Sequence, residues 1–305
     1  MLTVSGLTRA GLARRLRDGA LVLRTGPFTT RIRSDIGHVA DGLARLYADY
    51  PVEEPDAFAH FHVNLLRSRG WRHWFRPQAL FDHDGLAPFT PLPIGHAWPM
   101  FEWVMNWCVS NHAHGYLIVH AAVIEKNGRA AILPAPPGSG KSTLCAALVM
   151  RGWRLLSDEL ALLRLEDGLL APLPRPVSLK NASLDIIRDF APEAQFGTPA
   201  HGTAKGTVGH LQAPAASVRR AAEPARPAWV VFPRYEAGAN TSMTPVPQAH
   251  TFMRLAENAF NYAMLGEAGF TLLGRLVDAC EGCDFVYSRL EEAIATFDAL
   301  AGEGA

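Results

Sequence analysis

The run VHAAVIEKNGRAAILPAPPGSGKSTL, residues 119–144, constrains this chain more than any other stretch. Two apolar segments flank Asn127-Gly128. Asn-Gly between such segments predicts a hairpin, because both residues tolerate the positive φ of a type I′ turn. The second strand feeds PPGSGKST, and STLCAALVMRG follows as a helix that Gly152 can end. Strand, glycine-rich turn and helix in that order let consecutive backbone N–H groups and the positive end of a helix hold phosphate. The phosphate-loop pattern G-x-x-x-x-G-K-[ST] starts with a glycine where this chain has Ala135. That departure is tolerable, since the donors that matter come late. Pro136 and Pro137 have no N–H to give, whereas Gly138, Ser139, Gly140, Lys141, Ser142 and Thr143 do. Lys141 is then the candidate partner of the β- and γ-phosphates, and the Ser142 hydroxyl a ligand for Mg2+. The bland alternative is a glycine-rich turn that only connects strand to helix.

A second constellation is LLSDE, in which an apolar strand ends in Asp158 and Glu159. With one crossover helix between them, that strand is expected to lie beside the loop's own strand and bring both carboxylates to the phosphates. One acid can then serve Mg2+ while the other takes a proton from an incoming hydroxyl. Acids inside an otherwise apolar run are costly to bury, which favours a functional reason for them over surface solvation. His120 interrupts LIVHAAVI on the neighbouring strand. By itself such a histidine is more often a hydrogen-bonded core residue than a catalytic one.

The 305 residues suffice for one large domain or a core with a smaller companion. Lys plus Arg balances Asp plus Glu at 29 each, so no diffuse positive field is available for nucleic acid or anionic lipid, and any anion must be held locally. Four cysteines and no basic-then-apolar leader point to a reducing, cytoplasmic setting, and the apolar runs are too short for a membrane span. ALVLRTGPFTTRIRS, HVADGLARLYADY up to Pro51, and RHWFRPQALFDHDG predict a small α+β unit over residues 1–95. The proline-rich APFTPLPIGHAWP is the linker candidate, and residues 96–305 form the nucleotide domain. Within it, PMFEWVMNWCVSNHAHG reads as a helix, EDG at 166–168 as a hairpin turn, AWVVFPRY as a buried strand, and the stretch beyond Ala249 as mostly helical around FVYS.

VHAAVIEKNGRAAILPAPPGSGKST followed by RGWRLLSDE resembles the catalytic domain of HPr kinase/phosphorylase over roughly residues 116–163. With RPVSLKN, KGTV, FPRY and FNY, the chain is similar over about residues 21–300 to the bacterial group called HprK-related kinase A. The resemblance implies an α/β fold with a P-loop kinase core of the HPr kinase and phosphoenolpyruvate carboxykinase type, a small N-terminal α+β unit and a helical C-terminal part. It implies an ATP- and Mg2+-dependent kinase acting on a hydroxyl, a serine for preference, of a peptide or small protein, in company with a PqqD-like peptide chaperone. On that pattern Lys141 and Ser142 handle phosphates and Mg2+, Glu159 assists the metal, Asp158 is the general base, and His120 positions the chemistry. Glu159 stands where HPr kinases carry Asp, and the motif coupling kinase to phosphorylase activity is not reproduced beyond residue 165. Phosphorolysis is therefore not carried over.

Arg175, Lys180 and Lys205, in RPVSLKN and HGTAKGTVGH, are loop cations able to clamp a transferring phosphoryl group or an acidic acceptor. Lys205, between Gly202 and Gly206, is the preferred one, and solvated lysines are the alternative. Cys280 and Cys283 with Cys108 and His112 or His114 could make zinc ligands on paper, but packed thiols are the simpler account. Trp71, Trp74, Trp103 and Trp107 read as core anchors rather than a base-stacking platform. Competing functions are a small-metabolite kinase, an AAA-like ATPase and a nucleotide-gated binding protein. A homo-oligomer is compatible with each.

Overall fold

The computed structural model describes residues 2–68, 70, 75–83, 85 and 87–302. Two large sheets and one small one, with helices packed around them, make a mixed α/β architecture. In chain order the first part runs α1 (Arg9–Asp18), β1 (Leu21–Thr25), β2 (Phe28–Ser34), α2 (Gly37–Leu46), β3 (Val52–Glu53), β4 (Phe61–Arg67), β5 (Gln78–Asp82) and β6 (Leu92–Pro93). Its sheet has the order β3-β1-β2-β4-β5-β6, with β2 and β4 parallel and the remaining neighbours antiparallel. Gly26-Pro27 is the β1–β2 turn, as its composition predicts. The helix expected to reach Pro51 ends at Leu46. Part of the proline-rich linker candidate is strand β6, paired with β5, because an edge strand needs N–H donors on one side only and so accepts proline. Trp71 and Trp74 lie outside the described residues.

The second part continues with α3 (Ala97–His112), β7 (Tyr116–Lys126), β8 (Arg129–Pro134), α4 (Lys141–Met150), β9 (Arg154–Ser157), β10 (Leu160–Arg164), β11 (Leu170–Ala171), β12 (Val177–Lys180), α5 (Ala182–Phe190), β13 (Ala200–Thr203), β14 (Gly206–Leu211) and α6 (Ala215–Arg219). It closes with β15 (Arg226–Tyr235), β16 (Ser242–Pro245), α7 (Gln248–Glu257), α8 (Tyr262–Ala279, broken at Gly266), β17 (Glu281–Tyr287) and α9 (Leu290–Gly302). The second sheet has the order β11-β10-β7-β8-β15-β17-β16, with β9 also on β7. A three-stranded sheet, β12-β14-β13, stands apart. Buried side chains form a continuous core from Val4 in the first part to Ala301 in α9. No helix among the described residues is long and apolar enough to cross a membrane.

Two polar devices inside this core fix the frame around the loop. Asn127 and Gly128 have φ of 55° and 78°, as a type I′ turn requires. Glu125 accepts the Gly128 N–H at 2.6 Å and pairs with Arg154 at 3.0 Å, both side chains almost wholly buried. That pair welds β9 to β7. Across the two parts, Arg175 meets Glu102 of α3 at 2.9 Å, and Tyr47 of the first part donates to the same carboxylate at 2.9 Å. Arg175 is therefore a buried cross-brace and not the exposed loop cation its turn-rich surroundings suggest.

Candidate active site

The register of β7 decides where the chemistry meets. On one edge Ala121 pairs with Pro134, the last residue before the glycine-rich loop. On the other edge His120 pairs with Leu160 and Val123 with Ser157. Asp158 and Glu159 form an unpaired bend between these two points, and the Ser157 hydroxyl closes it by accepting the Leu160 N–H at 3.0 Å. Loop, histidine and acids thus reach the same level of the sheet. The acid-bearing strand is not beside the loop's own strand, as the single-crossover argument predicts; β7 lies between them. Antiparallel pairing with β7 on both sides satisfies β8 and β9 alike, an option that local periodicity does not reveal.

A cavity of about 630 Å³ opens here, lined by the loop from Ala135 to Thr143, by His120 and Glu159, and by Ser178 and residues 180–183. Ile186, Tyr235, Tyr287, Ser288 and Leu290 complete its walls. The loop is braced from behind. Tyr235 N–H donates to the Ser139 carbonyl at 2.8 Å, and the Tyr287 hydroxyl donates to the Gly140 carbonyl at 3.0 Å. Gly140, with φ of 87°, precedes the first residue of α4. A Cβ there would stand 2.5 Å from the Tyr287 hydroxyl oxygen, so only glycine fits. Lys141, Ser142 and Thr143 open α4, where backbone N–H groups have no partner within the helix.

Lys141 is buried, and its ammonium stands 3.3 Å from His120 Nε2. The same ring nitrogen lies 3.1 Å from Glu159 Oε2. One nitrogen cannot accept from lysine and donate to carboxylate together, so the His120 tautomer selects which contact is a hydrogen bond. Burial pushes the Glu159 carboxyl upward, but the His120 contact and the charges of Lys141 and Lys180 outweigh it and hold the group low. Asp158 behaves oppositely. Burial, and next the Glu159 charge, raise its carboxyl to about 6 against the pull of Lys141 and Ser142. Its Oδ2 accepts the Ser178 N–H at 3.0 Å, and its Oδ1 is buried with no hydrogen-bond partner. Asp158 lies beneath the cavity floor and does not line it, whereas Glu159 does. The bend that interrupts the strand at these two residues sends one carboxylate into the protein and the other into the cavity.

Of the loop cations, Lys180 lines the cavity. Lys205 does not, standing instead with its ammonium 5.0 Å from the centre of the Trp103 ring. Cys280 and Cys283 are buried, and burial raises their thiols to about 12 and about 11, which leaves them protonated and inert. Among the described residues, no group of three or more His, Cys, Asp or Glu side chains could hold a metal unaided.

Sequence reasoning overlooked the supports. Asn261, 3% exposed, accepts the Ile118 N–H and donates to the Tyr116 carbonyl, and Phe260 N–H donates to the Ile118 carbonyl. These bonds hold the Phe260 ring 5.9 Å from that of His120. A buried Asn between two aromatics in FNY was the available signal. No family model and no curated protein matches this chain.

Proposed function

We propose that this chain is an ATP- and Mg2+-dependent kinase of the P-loop type, transferring the γ-phosphoryl group to a hydroxyl of a peptide or small protein. One observation carries the reading: β7 brings an amide-rich helix N-terminus, a buried lysine and a cavity-facing Glu159–His120 pair to one cavity. Residues 138–143 supply main-chain donors for phosphate, and at Gly138, where an added Cβ would meet nothing within 4 Å, the loop backbone is open to close approach by a ligand. Asp158 Oδ1 is a buried acceptor with no hydrogen-bond partner, close to Ser142 and Lys141, which suits it to ligate a divalent cation. Asp158 and Ser142 therefore fit the magnesium side, with phosphate oxygens and water completing its shell. Bound there, the ion supplies charge neutralisation to the triphosphate.

This reverses the division of labour that the family resemblance implies for the two acids. Glu159, in the cavity and oriented by His120, takes the acceptor's proton as the hydroxyl oxygen bonds to the γ-phosphorus. The bond to the β–γ bridging oxygen breaks, and Lys141 balances the charge that oxygen acquires. A weakly basic carboxylate suffices, because little negative charge builds on the attacking oxygen in a loose transition state. The test incubates the protein with Mg-ATP and serine-containing peptides and follows phosphate on the peptide by mass spectrometry. Transfer lost in both Glu159→Gln and Asp158→Asn supports the reading. Free phosphate released at the same rate with or without peptide sinks it in favour of an ATPase.

A further inference from the structure

The phosphate loop and Lys141 do not use all the positive charge gathered at this cavity. Lys180 ends β12 and lines the cavity on a different sheet from the loop. Lys205 occupies the two-residue turn between β13 and β14, the hairpin packed against β12. Asn181 fastens that tip to the end of β12. Its N–H donates to the Thr207 carbonyl at 2.9 Å, its Oδ1 accepts the Thr207 N–H at 3.0 Å, and its Nδ2 donates to the Lys205 carbonyl at 3.4 Å. Asn181 adopts φ of 53° and ψ of −130° to do so, a conformation a non-glycine residue holds only with such support. Gly206, with φ of 82°, is pressed so closely on Asn181 that a Cβ would stand 2.2 Å from its Oδ1. The Thr203 hydroxyl accepts the Lys205 N–H at 3.1 Å and donates to the Gly206 carbonyl at 2.7 Å.

Two cations are thus held at a built corner beside the Glu159 side of the site. Neither they nor Lys141 take part in an ion pair among the described residues. Burial, and next the Lys180 charge, lower the Lys205 ammonium, and Lys180 helps hold Glu159 low, so the three groups sense one another. Glu159, the one carboxylate lining the cavity, is shared with Lys141, and Lys205 has besides it only the face of the Trp103 ring, so positive charge is in excess at this corner and a fold that fixes it there gains when an anion arrives. The loop amides and Lys141 already serve the triphosphate, which leaves the acceptor as the source of that anion.

Resting on the kinase reading above, we infer that the acceptor carries carboxylates next to its hydroxyl, and that Lys180 and Lys205 bind them and set acceptor specificity. The favoured form is a serine flanked by Asp or Glu in a peptide; a small hydroxy acid shares the chemistry.

Fluorescence anisotropy on protein saturated with Mg-ADP separates binding from catalysis. The probes are a labelled Glu-Glu-Ser-Glu-Glu peptide and its Gln-Gln-Ser-Gln-Gln counterpart, with glycerate as competitor. The acidic peptide should bind at least about tenfold tighter than the neutral one, as charge-assisted contacts predict. Lys180→Gln and Lys205→Gln should each remove most of that difference and Lys180→Arg keep part of it, with urea midpoints verifying that the variants are folded. In phosphoryl transfer the glutamine variants should raise acceptor KM and leave ATP KM unchanged, a split that a merely structural role would not give. Displacement by glycerate with no peptide binding identifies the small acid as the source. Equal binding of both peptides, or binding of neither peptide nor glycerate, overturns the inference. Acidic-peptide binding without transfer sinks the kinase reading alone; transfer to both peptides with equal efficiency sinks the acceptor inference alone.

Discussion

Replacing Asp158 by Asn should stabilise the folded chain at neutral pH, although the residue belongs to the site. Its carboxyl lies at about 6 in the fold against an ordinary 3.8, because it is buried and next to Glu159. Below about pH 4 the acid is protonated in folded and unfolded chains alike and contributes nothing. As pH rises from about 4 to about 6 the unfolded chain ionises the group while the folded chain keeps it protonated, so stability falls, and above about 6 the penalty is fully present and constant. At about 1.36 kcal/mol for each pH unit between 3.8 and 6, the penalty reaches about 3 kcal/mol. Asn keeps an oxygen for the Ser178 N–H but buries an amide NH2 with no assured acceptor, which returns about 1–2 kcal/mol. The net gain at pH 8 is about 1–2 kcal/mol. Urea unfolding of wild type and D158N at pH 4.5 and pH 8, with equal m-values, measures it. The difference should grow with pH, and Mg-ATP should stabilise wild type much more than the variant, since only Asp158 can use the ion. A D158N protein equal to or weaker than wild type at pH 8 would refute the account of Asp158 as a buried acid whose ionisation costs stability.

Glu159→Gln should act in the opposite sense. The Glu159 carboxyl is held low, so its stabilising contribution is full above pH 4.5 and fades as pH falls toward about 2; E159Q should lower the urea midpoint at pH 7 and narrow the gap in acid. Gly140→Ala combines a left-handed backbone with contacts at 2.5 Å and 2.9 Å to Tyr287 and Tyr235, and should lose about 2–4 kcal/mol together with ATP binding measured by calorimetry. Gly138→Ala has the same kind of φ, 88°, with nothing within 4 Å, so it should lose only about 1–2 kcal/mol. Arg175→Met strands the Glu102 carboxylate and should destabilise by about 3–5 kcal/mol in urea unfolding, yet leave kcat per folded molecule near wild type; a kcat lost without loss of stability would return Arg175 to the site.

Much of the site was legible because its signals are local. The type I′ turn at Asn127-Gly128, the strand-loop-helix order around GSGKST, and the EDG hairpin joining β10 to β11 each follow from backbone preferences of a few adjacent residues. His120 stood out as one polar residue inside an apolar strand, and it does line the cavity. Roles were less legible than positions. Asp158 and Glu159 are neighbours in sequence, yet one lies under the floor and the other in the cavity, because the chain bends at these two residues between β9 and β10 and a local apolar pattern does not show which way each side chain leaves the bend. Arg175 and Lys180 are five residues apart in one short stretch, yet one is a buried brace because Glu102 of α3 meets it, and the other is a cavity cation because β12 ends at the cavity.

By itself, then, the sequence determined which segment gathers main-chain donors, a lysine and hydroxyls at one strand-to-helix turn, since those depend on local turns and one helix start. Strand partners were settled only in three dimensions, where β7 came to separate β8 from β9 and β14 carried the Lys205 tip to the end of β12. Pairing between distant strands is chosen by the packing of whole faces and by buried partners such as Glu125 with Arg154, information that no short window of residues contains.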